Sequence, residues 1–323
     1  MKTLIWPAGA FVLVCASFAF ADSWGPPTLE HWSADRSHRL RVEWEIASRK
    51  PPVLIFERRV GPGLKELWRT LSPQEAAPVE VFISPGGTSV VLLDQWHHRG
   101  RGISLVFIGP GGEVLSKYTP EQVMPRADIE SWRISVSSTH WTMGGILFFR
   151  AEKPQFAFIS GRRTVRLFGL RDGKLETLTD AERRAVLREA MPGARMLIAD
   201  VDPEMRVKGA SRAALLQDTD AVSSLKRLLD DPYHYTISVQ QDGTLPDASY
   251  ENYLVQAAAA WALVKLIGDE ATPLIEAKLP RANPYMRKSF IEAVKVCSGP
   301  RTRALLDRLG EGTTARRRPG RHN

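Results

Sequence analysis

The apolar period of this chain changes once, near Leu178, and no motif constrains the fold as strongly. From Trp24 to Leu178 the apolar residues come in short runs, among them "HRLRVEWEI", "PVLIFERRV", "TSVVLLDQW", "ISLVFIG", "GILFFRA" and "TVRLFGL". Each has strand length, is rich in Val, Ile, Leu and Phe, and ends at Pro, Gly, Asp or Ser, as strands joined by turns do. Residues 22–178 are therefore expected to form an antiparallel β domain, either a partial propeller or a sandwich. Beyond Leu178 the spacing becomes helical. "TDAERRAVLREAMPG" opens with Thr179 as an N-cap and Glu182 at the capping-box position, carries Ala185, Val186 and Ala190, and is expected to stop at Pro192-Gly193. The fold class expected is α+β multidomain: the N-terminal antiparallel β domain followed by a short α-helical array over residues 179–310.

Both halves repeat internally. In the first, "WSADRSHRLRVEW", "FISPGGTSVVLLD" and "FISGRRTVRLFGL" share an aromatic residue, a Ser, a polar turn and an apolar strand, and "FIGPGGEVLSKY" carries Gly for Ser. A serine can bond the backbone around its own turn, and the Gly or Asp after it supplies a positive φ, so each copy reads as one hairpin. In the second half, sliding the chain by thirty positions sets Val264 on Val294, Ile275 on Leu305 and Leu279 on Leu309. "DAVSSLKRLLDDP" matches "EATPLIEAKLPRA" at an offset of fifty, the extra twenty being a Pro-, Gly- and Asp-containing insertion at 230–249. A helix pair that can bury its stripe only against the next copy marks a repeat array. Trp261 in "AAAAWALVKL" and Cys297 in "IEAVKVCSG" are both expected in its core.

On these residues the second half resembles HEAT-like helical repeats of the bilin-lyase type over residues 205–309, which implies paired helices stacked on one another. The hairpins of the first half resemble the Ser-Pro-Asp-Gly hairpins of WD-repeat, β-propeller-like domains, with Gly86 standing where those have Asp. "DSWGPPTLEHWSADRSHRLRV" together with "DQWHHRGRG" resembles the N-terminal region of uncharacterised exported bacterial proteins. That resemblance implies no activity, but it implies that the two segments belong to one structural unit.

The first residues, "MKTLIWPAGAFVLVCASFAF", set Lys2 before a run without charge from Thr3 to Phe20, and Ala19-Phe20-Ala21 offers small residues for cleavage. This reads as a secretory signal peptide over residues 1–21, so the protein is expected to be exported, periplasmic or extracellular, with no stable membrane span after cleavage. Cys15 leaves with the signal and Cys297 remains alone, so no internal disulfide is expected and stability must come from packed cores. The net charge is +8, part of it in the tail at 311–323, "ARRRPGRHN" included, which is expected to be a basic disordered end. Export directs such a charge toward a protein or an anionic envelope component rather than nucleic acid.

The candidate site is "LLDQWHHRGRG", residues 92–102. Trp96, His97, His98, Arg99 and Arg101, with His140 and Trp141 from a second loop, are expected at strand ends, where aromatic faces and guanidiniums can grip an acidic or sugar-like group. Asp94, His97, His98 and His140 also suggest a metal, but adjacent histidines in a strand would face opposite sides and no H-E-x-x-H accompanies them. Ser137 and Ser138 near His140 lack a nucleophile elbow, and "GPGG" at 109–112 reads as a hairpin turn rather than a phosphate cradle. No metal and no cofactor are expected. The function expected is that of a non-catalytic binding or scaffolding protein; the alternative is a secreted hydrolase using Asp94 with His97 or His98 and His140.

Overall fold

The computed structural model describes residues 27–45, 50–130, 138–139, 141–142, 144–233, 235–239, 248–252 and 254–311. The expected signal peptide, His140 and all of the basic tail beyond residue 311 lie outside them. In the N-terminal part three antiparallel sheets form, and strands adjacent in space are adjacent in sequence. The first holds β1 (Glu30–Trp32), β2 (His38–Glu43), β3 (Val53–Val60) and β4 (Gly63–Leu71). The second holds β5 (Pro78–Ile83), β6 (Val90–Gln95), β7 (Leu105–Ile108) and β8 (Val114–Tyr118), followed by two short helices, α1 (Pro120–Val123) and α2 (Arg126–Ile129). The third holds β9 (Ile146–Phe149), β10 (Gln155–Ile159) and β11 (Val165–Gly169), extended by a bridge from Phe168 to Leu175. Among the described residues no sheet closes into a barrel or a propeller ring.

One turn design recurs in all four hairpins that the repeat marked. The N–H of Ser33, Ser84, Gly109 and Ser160 donates across the turn to the carbonyl of His38, Ser89, Glu113 and Thr164, at 2.9 Å each time. The third residue on, Arg36, Gly87, Gly112 or Arg163, donates back to the carbonyl of the first and has φ of 55°, 69°, 86° or 66°. Where the first residue is serine, its Oγ also accepts from the N–H of His38 (2.9 Å), Ser89 (2.8 Å) or Thr164 (3.1 Å). The left-handed position common to the four is therefore the third after the serine, and in two copies an arginine occupies it.

The sheets stack. Leu40, Leu54, Phe56 and Trp68 of the first sheet pack on Val90, Leu92, Val106 and Ile108 of the second. The opposite face of the second sheet, with Val91, Leu93, Leu105 and Phe107, packs on Phe156, Phe158 and Phe168 around the third. A sheet buried on both faces needs apolar residues at every position, which is why residues 90–93 of β6 and all of β7 read as unbroken apolar runs. The far face of the third sheet, Ala157, Ile159, Val165 and Leu167, meets Val186, Ala190 and Ala194 of α3 (Asp180–Ile198) and Leu216 of α4 (Pro203–Leu216), so β and helical parts share a core.

Thr179 caps α3 as expected: its Oγ1 accepts from the N–H of Glu182, whose carboxylate accepts from the N–H of Thr179 at 3.0 Å. The helix does not stop at Pro192-Gly193. Proline removes one backbone bond, but Ala190, Ala194 and Ile198 are buried on both sides of it, and that packing carries the helix through. Next come α5 (Val222–Leu228), the hairpin β12 (Tyr235–Val239) and β13 (Ala248–Asn252) around the predicted insertion, α6 (Leu254–Ile267), α7 (Thr272–Glu276), α8 (Pro284–Lys295) and α9 (Pro300–Arg308). Helix α4 packs on α6, α6 on α8, and α7 on α8 and α9. The buried hydroxyls of Thr272 and Thr302, thirty positions apart in sequence, meet at 2.9 Å. Among the described residues no helix is long and apolar enough to cross a membrane.

Two expectations about this core are corrected. Cys297 is only partly buried, at the edge of the helical cluster, and Trp261 is 39% exposed. Helix α6 is apolar almost all round, so its sequence does not mark which side α4 and α8 leave uncovered. At the α3–α4 crossing, a Cβ on Gly209 would lie 2.5 Å from the backbone nitrogen of Ile198. Gly209→Ala, which gains about 1 kcal/mol of propensity in an exposed helix, is here expected to destabilise the protein by about 2 kcal/mol. Thermal denaturation checks the sign.

Candidate binding site at the β6–β7 connection

The connection from β6 to β7 is tied from beneath by Asp94. Its backbone is left-handed, with φ of 54°, and its N–H donates to the carbonyl of Ser104 at 2.7 Å. The carboxylate turns inward and is buried; Oδ1 accepts from the N–H of Gly100 and from Nε1–H of Trp141, both at 2.8 Å. Arg99 Nε stands 3.9 Å from Oδ2. Burial pushes the Asp94 carboxyl up to about 6, against the opposing pull of Trp141, Gly100 and Arg99. The N–H of Thr139 donates to the carbonyl of Arg99 at 2.8 Å, so the connection is laced to Thr139 and Trp141.

A second set of bonds holds the connection from the side. Gln95 Oε1 accepts from the N–H of Glu75 at 3.1 Å, and its Nε2 donates to the carbonyl of Arg101 at 3.2 Å. Gln74 Nε2 donates to the carbonyls of Asp94 and Ile103 at 3.2 and 3.1 Å. With its backbone fixed in this way, the connection presents two adjoining grooves. One, of about 530 Å³, is lined by Trp44, Pro51, Glu75, Ala76, Trp96, His97 and His98. The other, of about 340 Å³, has His98, Arg101, Gln74, Glu75 and Gln95 in its wall. Glu75 and His98 border both. Trp96 packs edge-on against Trp44, with ring centres 5.5 Å apart at 76°.

The residues expected to form the site divide into three groups. Trp96, His97, His98 and Arg101 line the grooves. Arg99 turns toward Asp94. Trp141, expected on a binding loop, is instead buried in the core between the second and third sheets, edge-on to Phe158 at 5.2 Å. Its indole has more apolar area to bury than any ligand contact would recover, and the Asp94 carboxylate satisfies its one polar atom. His140 and Ser137 lie outside the described residues, and Ser138 is buried. The two histidines occupy the turn rather than a strand, His97 with φ of 64°, so they do not face opposite sides as expected; both line the same groove. Trp44, Gln74 and Glu75 were not expected at the site. They come from segments twenty or more residues upstream of the turn, and only the glutamine-glutamate pair in "SPQEAAP" hints at anything beyond a linker.

The chain matches no protein-family model, and no curated protein matches it.

Proposed function

We propose that this is an exported, non-catalytic binding or scaffolding protein of the bacterial envelope that takes an anionic envelope component at the β6–β7 connection. One observation carries the reading: Asp94, Gln95 and Gln74 tie the connection down on two sides while Trp96, His97, His98 and Arg101 line its outer grooves. A loop already fixed loses little conformational freedom on binding, and indole and imidazole rings beside a guanidinium suit an acidic or sugar-like group. The net charge of +8 favours an anionic partner.

The finer fold reading belongs to the same proposal. The stacked meanders and their shared turn support propeller-like modules in an open stack. The Thr272–Thr302 bond at the thirty-residue offset supports a HEAT-like array whose outer surface serves as the scaffold. The hydrolase alternative draws less support. The Asp94 carboxylate is engaged beneath the turn by Gly100 and Trp141, and the acid that borders the histidine-lined grooves is Glu75.

Cosedimentation with phosphatidylglycerol vesicles and with purified peptidoglycan tests the proposal. At least one of the two is expected to bind, more weakly as salt rises, and Trp96→Ala and Arg101→Ala are each expected to weaken binding at least fivefold, Arg101→Ala without lowering Tm and Trp96→Ala with a small loss of Tm from its lost contact with Trp44. Binding to neither, or binding unaffected by both substitutions, overturns it.

A further inference from the structure

Another groove lies where the third sheet meets the helices. The β10–β11 turn contributes Arg162 and Arg163, α4 and its C-terminal cap contribute Ser211 and Gln217, and α6 contributes Trp261 and Lys265, around a volume of about 530 Å³. Its walls are held together, because Ile159, Val165 and Leu167 beneath the turn share a core with Ala194 and Leu216 of the helices. A cavity of this size at a junction of two structural units lies within the range of about 300–1,000 Å³ usual for small-molecule sites.

Three features of the lining point to one kind of ligand. First, among the described residues it brings together three cations, Arg162, Arg163 and Lys265, and no carboxylate. Arg162 is anchored there, its Nη1 donating to the carbonyl of Ala127 at 2.8 Å. Second, Arg163 Nε is buried with no hydrogen-bond partner among the described residues, a desolvated donor that an acceptor would satisfy. Arg163 also sits at φ of 66° in the left-handed region, where two of the three equivalent turn positions hold Gly87 and Gly112. A side chain kept at a strained position in place of glycine points to a use for it. Third, Trp261 is 39% exposed here although Val255, Ala259 and Leu263 of the same helix are fully buried. The ammonium of Lys265 lies 5.6 Å from the centre of its ring, so indole and cation present together.

We propose that this groove binds a small ring compound carrying an acid group, such as a sugar acid or an aromatic carboxylate. The ring lies along the indole of Trp261, the acid group meets Arg163 and Lys265, and Ser211 and Gln217 bond the remaining polar atoms. The proposal shares no residue with the β6–β7 site and does not rest on it.

Isothermal titration of the full protein with glucuronate, with benzoate and with glucose as the neutral control tests it. Saturable binding is expected for at least one of the two acids and none for glucose; the two acids then tell a sugar from an aromatic ring. Trp261→Ala and Arg163→Gly are each expected to weaken that binding tenfold or more. Arg163→Gly is expected to keep or raise Tm, since glycine adopts the left-handed backbone freely, so its loss of binding cannot be a loss of folding. Binding of neither acid, binding of glucose as tight as that of the acids, or full binding in Arg163→Gly overturns the proposal.

Discussion

The wild-type protein is expected to gain about 3 kcal/mol over Asp94→Asn as the pH falls from 7 to below 4, at about 1.36 kcal/mol for each pKa unit of displacement. Burial raises the Asp94 carboxyl from its ordinary value of 3.8 to about 6. Between those values the folded protein holds a proton that the unfolded chain has released, so stability falls as pH rises through the window and levels off above it. Asparagine cannot ionise, tolerates the left-handed backbone at φ of 54°, and its Oδ1 can still accept from Gly100 and Trp141. The exposed Asp35 carboxyl is held down to about 2 by hydrogen bonds from Ser33 and Ser37 and gives the opposite slope, but both proteins share it. Urea denaturation of the pair at several pH values from 3 to 7 provides the measurement. Parallel stability curves would mean that Asp94 is not held in the dry position that raises its carboxyl.

Gly100→Ala is expected to destabilise the protein by about 3 kcal/mol, the sum of roughly 1–2 for a left-handed alanine and roughly 1–3 for overpacking. Its φ is 66°, and a Cβ would fall 2.1 Å from the carbonyl oxygen of Thr139 and 2.9 Å from the indole of Trp141. The first of those is backbone, which no rotamer change can relieve. Gly102→Ala is the control. Its φ is 62°, but the nearest atom to a Cβ is Gln95 Nε2 at 3.6 Å, so only the conformational cost of about 1 kcal/mol applies. Thermal and urea denaturation of the two variants separates them; equal losses would show that Thr139 and Trp141 do not press on the turn.

Much of the architecture is legible in the sequence because burial there is lopsided or complete. β6 and β7 stand out as apolar runs because both faces of their sheet are covered, and the capping box at Thr179 and Glu182 marks the first long helix. β4 escapes notice for the opposite reason. It is an edge strand with Trp68 buried but Leu64, Leu67 and Leu71 exposed, so its apolar residues carry no inward period. Trp261 misleads because a helix apolar on every side gives no hint of which neighbour is missing.

The candidate site is legible in part. The cluster at 94–101 announces a decorated turn, and of its groove-lining residues Trp96, His97, His98 and Arg101 are among those expected while Gln95 is not. The partners that give the turn its shape, Gln74, Glu75 and Trp44, lie upstream in segments with no local pattern to connect them to it. Trp141 shows the limit of reading by residue type: an indole beside a histidine suggests a binding surface, yet its area takes it into the core. The positive φ values at Asp94, His97 and Arg163 are equally hidden, since each is imposed by hydrogen bonds closing a particular turn rather than by the residue's own preference.

The strand order of the three sheets also bears on how the protein assembles. Because each of the described strands pairs only with sequence neighbours, every such sheet closes through short loops, and a chain emerging from its N-terminal end can complete one sheet before the next appears. The second and third sheets are the exceptions to that independence. Until its neighbours dock, each shows water an apolar surface on both sides, so residues 78–118 and 146–169 are where delay is most dangerous and where aggregation would begin.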